Sequence, residues 1–160
     1  MTDTNELLQL ALMIARQAGD LLVDRPASWD LTVKSTAIDI ATQYVKERQA
    51  FGQHISQFQN TRFVLAQAKI DEQATAAFYN QNVELYMQGK LDVETAAALK
   101  SFSTDMQMKV ADNLLQLFGG YGYMSEYPIS RFFVDARIQR IYGGTNEIMK
   151  EIVARSLLGR

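Results

Sequence analysis

Apolar residues recur along most of the chain at intervals of three and four, the period of helices that bury one face. Leu7, Leu10, Ala11, Ile14, Ala18, Leu21 and Leu22 form one such stripe over roughly residues 4–23. The RPASWD run interrupts it, because Pro26 lacks an amide donor and pushes its predecessor out of helical conformation. Residues 29–33 then read as a short extended piece. A second helix is expected from Ser35 or Thr36, either of which can cap its free amides, to about Ala50. A long third helix is expected from about Ser56 to Met87. Phe63, Ala66, Ile70, Ala74 and Ala77 share one of its faces, with Gln, Asn and Glu opposite. Gly89-Lys90 stops this helix and Asp92 caps the fourth, which runs to Phe118. Its expected buried stripe is Leu99, Phe102, Met106, Val110, Leu114 and Leu117, with Met108 also read as core. Gly119 ends the fourth helix. Pro128 suits the first turn of a shorter one, and Thr145 or Asn146 caps the last. Strand-like alternation is nearly absent, so the pattern predicts an all-α, antiparallel, four-helix-type bundle in one domain.

Composition narrows the chemistry. With 160 residues the chain can bury roughly 70% of its unfolded surface. A net charge of −2 gives no basic field for nucleic acid. With no cysteine and one histidine, His54, thiolate sites and most metal or triad chemistries are unavailable. His54 reads as a polar loop residue. No apolar run approaches the ~20 residues of a membrane span, and the polar start MTDTNE is unlike a signal peptide. A cytoplasmic protein is the expectation.

Four strings go beyond pattern: YVKERQAFGQHISQFQNTRF (Tyr44–Phe63), the GKLD link at Gly89, LLQLFGGYGYMSEYPISRFFVDARI (Leu114–Ile138) and IYGGTNEIMKEIVAR (Ile141–Arg155). In order and spacing they resemble the C-terminal helical domain of acyl-CoA dehydrogenases, over roughly three quarters of the chain (44–160). IYGGTNEIMKE is especially close to the long-chain type. The resemblance implies a bundle with FAD lying between subunits, α,β-desaturation of an acyl-CoA, electron transfer onward to an electron-transfer flavoprotein, and dimer or tetramer contacts. It implies that Arg48 reaches the flavin pyrophosphate, a role suited to the fixed donors of a guanidinium. Phe51 would lie beside it, and Phe58 and Gln59 near the adenine. Gln116, Leu117, Phe118, Gly119 and Gly120 match a flavin-contacting segment, and Thr145, Asn146 and Glu147 another at a helix N-terminus. Gly144 and Arg155 match positions that contact the acyl-CoA. Taken without the resemblance, these residues read as a surface charge, a helix-ending glycine turn and an ordinary helix cap.

No catalytic base is expected. Many family members carry a glutamate where this chain has Gly143, and glycine cannot abstract a proton. Long-chain and isovaleryl-type members place the base ahead of the YVKER string. The corresponding interval lands near Leu22, flanked by Asp20 and Asp24, where Arg25-Pro26 breaks the helix. Residues 1–43 resemble instead the start of an inositol monophosphatase-type enzyme, through Lys34, Ser35, Asp39 and Thr42. That points to a fusion seam near Gln43-Tyr44. Residual phosphatase activity is not expected, because the several oxygen ligands of a magnesium site are missing. The remaining alternatives are a dehydrogenase domain inactive by itself and a non-catalytic, self-associating helical scaffold.

Overall fold

The protein is described from a computed structural model, over residues 36–159. The helix expected over 4–23, the extended piece at 29–33, and Asp20, Asp24 and Lys34 lie outside those residues. Among the described residues, five helices account for nearly all regular structure: α1 (Ala37–Glu47), α2 (Gln59–Met87), α3 (Val93–Phe118), α4 (Pro128–Gln139) and α5 (Asn146–Leu158). The all-α expectation holds. Two-residue strands β1 (Gln49–Ala50) and β2 (Gln53–His54) pair antiparallel and replace the last turn expected of the second helix.

Local signals set the helix ends. Thr36 caps α1 in a reciprocal box: its hydroxyl accepts from the Asp39 amide at 3.1 Å, and Asp39 accepts from the Thr36 amide at 3.2 Å. Asp92 accepts from the Thr95 amide at 2.7 Å to start α3, and Thr145 caps α5 at the Ile148 amide. Pro128 is the first residue of α4, where its missing donor costs nothing. The helix α2 begins at Gln59 rather than Ser56, because residues 55–57 form a tighter 3-10 turn.

The helix α3 is the axle of the bundle, packing against α1, α2, α4 and α5. Ala41, Val110, Leu114, Phe118 and Ile129 meet in the main core, with Ala68 and Met106 beside them. Leu99, Met106, Val110 and Leu114 are buried as the stripe predicts. Phe102 is not: it is 46% exposed and meets Phe78 edge-on at 5.9 Å. Leu117 and Met108 are half-buried. The position 43–44, the expected seam, falls inside the continuous helix α1.

The larger correction concerns α2. Its apolar face, Phe63, Ala66, Ile70, Ala74 and Ala77, is turned outward, with Phe63 63% and Ile70 57% exposed. The residues buried are Thr61, Ala68, Glu72, Thr75 and Asn82. Some of their polar atoms find partners close by, while Asn82 Oδ1 is buried without a hydrogen-bond partner. Thr75 donates to the Asp71 carbonyl at 2.8 Å, Asn82 to the Phe78 carbonyl at 2.9 Å, and Glu72 pairs with Lys69 at 2.5 Å.

Candidate functional site

Where α1 ends beside the end of α3, the two helices leave an open groove of about 620 Å³. Tyr44, Arg48, Ala50 and Ile55 form one wall, and the segment from Gln116 to Tyr121 forms the other. Aromatic packing builds the floor. The Tyr44 ring stacks on Phe118 at 4.0 Å and 17°, and its hydroxyl donates to the Phe118 carbonyl at 3.3 Å. Tyr121 stacks on Tyr127 at 5.1 Å, and Tyr127 meets both Tyr44 and Phe118 edge-on. Burial pushes the Tyr44 phenol above its usual range, with the Arg48 charge pulling the other way. The exposed Arg48 guanidinium lies 5.5 Å from the centre of the Tyr121 ring, a cation–π placement that aims a permanent charge into the groove.

The glycines of this wall are open. Gly119 has φ +57° and ψ −135°, a backbone state that a side chain would strain. Among the described residues, a methyl group on Gly119 or Gly120 would touch nothing within 4 Å. Backbone there is bare to whatever enters. Gly122 differs: a Cβ would sit 2.6 Å from the Leu115 carbonyl, so its smallness serves packing.

The β1–β2 hairpin belongs to the opposite wall, where Arg48 anchors its base through a 2.9 Å bond from the Ile55 amide to the Arg48 carbonyl. Its two-residue turn is Phe51-Gly52, both with positive φ, +54° and +79°. Phe51 is 95% exposed, with its ring edge-on to Phe58 at 6.2 Å. A large apolar ring held in solvent by a backbone state that costs of order 1–3 kcal/mol is an arrangement suited to contact with something else.

The second glycine turn, Gly143-Gly144, has φ +65° and +96°. It leads into α5, where the Thr145 hydroxyl caps the helix and Glu147 sits exposed in the first turn. The Glu147 carboxyl is held below its ordinary range first by its own backbone amide and next by Thr145. Inside the turn lies Lys100, fully buried. Its Nζ donates to the Gly144 carbonyl and to Asn146 Oδ1, both at 2.7 Å. Burial pushes this ammonium below the usual lysine range, offset in part by Asp105 and Glu147.

The family profile described as "acyl-CoA dehydrogenase, C-terminal domain" matches residues 15–158. The chain belongs to this family. Mouse mitochondrial long-chain specific acyl-CoA dehydrogenase is 44% identical over 115 residues, which is 72% of this chain and 27% of that enzyme. Cyclohexane-1-carbonyl-CoA dehydrogenase of Geobacter metallireducens is 33% identical over 141 residues, covering 87% of this chain and 37% of that protein. The crystal structure of an acyl-CoA dehydrogenase from Geobacillus kaustophilus superposes with a TM-score of 0.84 at 36% identity, over 96% of this chain and 37% of that one. The chain therefore spans about a third of the length of the acyl-CoA dehydrogenases it matches. The family match starts at residue 15 and runs through the expected seam. The resemblance of residues 1–43 to an inositol monophosphatase gains no support.

Within this acyl-CoA dehydrogenase domain, the residues singled out from sequence separate into three places. Arg48, Gln116, Leu117, Phe118, Gly119 and Gly120 come together in the groove. Phe51, Phe58 and Gln59 lie at the hairpin and the start of α2 beside it. Gly144, Thr145 and Glu147 form the second turn. Asn146 is 1% exposed, and its side chain faces Lys100, Thr104 and Asp105 rather than solvent. Arg155 lies near the far end of α5, ion-paired with Glu151 at 2.8 Å. Tyr44, Tyr121 and Lys100 were missed. The signal for Lys100 was present: Ala96, Lys100, Thr104, Gln107, Ala111, Leu114 and Phe118 fall on one helical face, and all seven are buried.

Proposed function

We propose that this domain supplies one wall of an FAD site in an α,β-desaturating acyl-CoA dehydrogenase, and that the site is completed by another subunit. The observation that carries the reading is the open groove in which Arg48 stands over Tyr121 opposite the unobstructed backbone of Gly119 and Gly120. These residues fit a dinucleotide. A guanidinium binds pyrophosphate oxygens, bare glycine backbone permits close approach, and the exposed Phe51 ring offers an apolar contact. Bound there, flavin supplies the hydride acceptor for desaturation of an acyl thioester. The chain's own part is to hold the dinucleotide, with Tyr121 bracing Arg48. Thr145 and Glu147, at the start of α5, are proposed as a second contact, and Gly144 and Arg155 as contacts to acyl-CoA. Gly143 offers no base, so turnover requires a proton acceptor from elsewhere. A cytoplasmic location belongs to the same proposal; the cysteine-free composition is compatible with a reducing compartment. Among the described residues no helix is long and apolar enough to cross a membrane.

A homo-oligomer, dimer or tetramer, is part of the same reading. Its support is the outward apolar row of α2, an exposed surface of the kind that marks association. Titration with FAD, followed by quenching of flavin fluorescence, tests the site. Saturable binding that Arg48→Ala weakens by about tenfold, as expected for one charge-assisted contact, supports it. Absence of binding at high FAD concentration, or equal binding by Arg48→Ala, overturns it for this chain. Light scattering that reports a monomer at high concentration would rule out the oligomer.

A further inference from the structure

A lysine with no exposed surface is a rare and costly residue, because a buried ammonium loses its hydration. Lys100 lies in that state on α3, yet its carrier helix needs nothing from it: the bonds made by its ammonium reach residues 44 and 46 positions later. Both acceptors belong to the turn that leads into α5. One is the Gly144 carbonyl, and the other is the side-chain oxygen of Asn146.

Side-chain restraint is lacking at the centre of the turn. Gly143 and Gly144 are adjacent glycines at positive φ, so neither carries a side chain to restrict its backbone. The tether supplies what the backbone lacks. Asn146 spreads it further: its amide donates to Thr104 Oγ1 at 3.0 Å and to Asp105 Oδ1 at 2.9 Å. Asp105 in turn pairs with Arg140 at 2.6 Å and with Lys150 at 3.7 Å. The Arg140 carbonyl accepts from the Asn146 backbone amide at 3.1 Å. A single polar cluster, buried at Lys100, Thr104 and Asn146 and open to solvent at Asp105, Arg140 and Lys150, thus joins α3 to the end of α4, the turn and the first residues of α5.

We propose that Lys100 is the positioning residue of the Gly143–Asn146 turn. Its ammonium holds the Gly144 carbonyl and the Asn146 side chain inward, and so fixes Thr145 and Glu147 as the outward face of the turn. The tether does not depend on the flavin reading, which enters only in naming what the outward face would touch.

The test is amide hydrogen exchange on the full chain and on Lys100→Met, which keeps a similar unbranched volume and removes the charge and its donors. The glycine turn at 119–123 is the internal control. Exchange of the amides at 144–148 should accelerate about tenfold or more beyond any change at 119–123, the scale for local opening when a buried polar group loses its partner. Unchanged protection at 144–148 overturns the proposal. Uniform acceleration across both turns also overturns it, because Lys100 would then only stabilise the bundle. If Lys100→Met does not fold, the ammonium of the unmutated protein decides by nitrogen NMR. A Lys100 resonance exchanging far more slowly than that of exposed Lys90 supports the tether, and equal exchange overturns it.

Discussion

Two glycine turns sit at the ends of two helices in this domain, and they use glycine for opposite purposes. At Gly119-Gly120 an added Cβ would meet nothing within 4 Å among the described residues, and the turn faces a groove lined by Arg48 and aromatic rings. At Gly143-Gly144 the backbone is pulled inward by a buried ammonium, and a Cβ on Gly144 would come within 2.5 Å of the Met149 side chain. One turn is left bare so that something can approach it. The other is tied down so that the first residues of α5 stay in place. Glycine content alone does not distinguish them; the distinction lies in what each turn meets.

Substitutions can break this contrast. The largest effect is expected at the tied turn. Lys100→Met strips the Gly144 carbonyl of its ammonium donor and leaves Asn146 Oδ1 only the Thr104 hydroxyl at 3.1 Å, and should cost about 3 kcal/mol in urea unfolding. A loss under about 0.5 kcal/mol would mean the tether carries no stability.

At the open turn the expected effects separate. Gly119→Ala should cost about 1–2 kcal/mol through its positive φ alone, since the space around it is free. Gly120→Ala meets the same free space without positive φ, so stability should hold while FAD binding weakens. Equal stability losses at both positions would erase the distinction between strain and access.

Smaller again is Thr145→Ala. Loss of the hydroxyl cap on α5 should cost about 1 kcal/mol, read by the same unfolding measurement. Smallest is the acid response of Glu147. Its folded pKa lies below the ordinary 4.5, so the unfolded chain binds the proton first as pH falls. The stability it contributes is complete above that value and is lost as pH drops through the folded pKa. Glu147→Gln should therefore flatten the stability-versus-pH curve below 4.5, and an unchanged slope would refute the assignment.

Much of the groove was legible in the chain because its residues lie in two compact strings. Arg48 and the Gln116–Gly120 segment were expected at the site and do line one groove. Tyr44 and Tyr121 were overlooked since aromatic residues at helix ends look like ordinary core. Asn146 was expected as one of three flavin contacts at a helix N-terminus, with nothing in the local sequence to show which way its side chain points. Its direction is set instead by Lys100, Thr104 and Asp105, partners more than 40 residues away in sequence.

The same division runs through the whole domain. The sequence by itself determined where α1, α3 and α5 start, because capping acts within about four residues: Thr36 with Asp39, Asp92 with Thr95, Thr145 with Ile148. It also determined the all-α class, through the spacing of apolar positions. Only the tertiary structure decided which face of α2 turned inward, leaving Phe63 and Ile70 outside and Glu72 and Asn82 inside. It alone decided that a lysine would be the buried centre of a polar cluster. The physical reason is range. A cap is satisfied by its neighbours in the chain, whereas burial is satisfied by whatever surface packing brings against it.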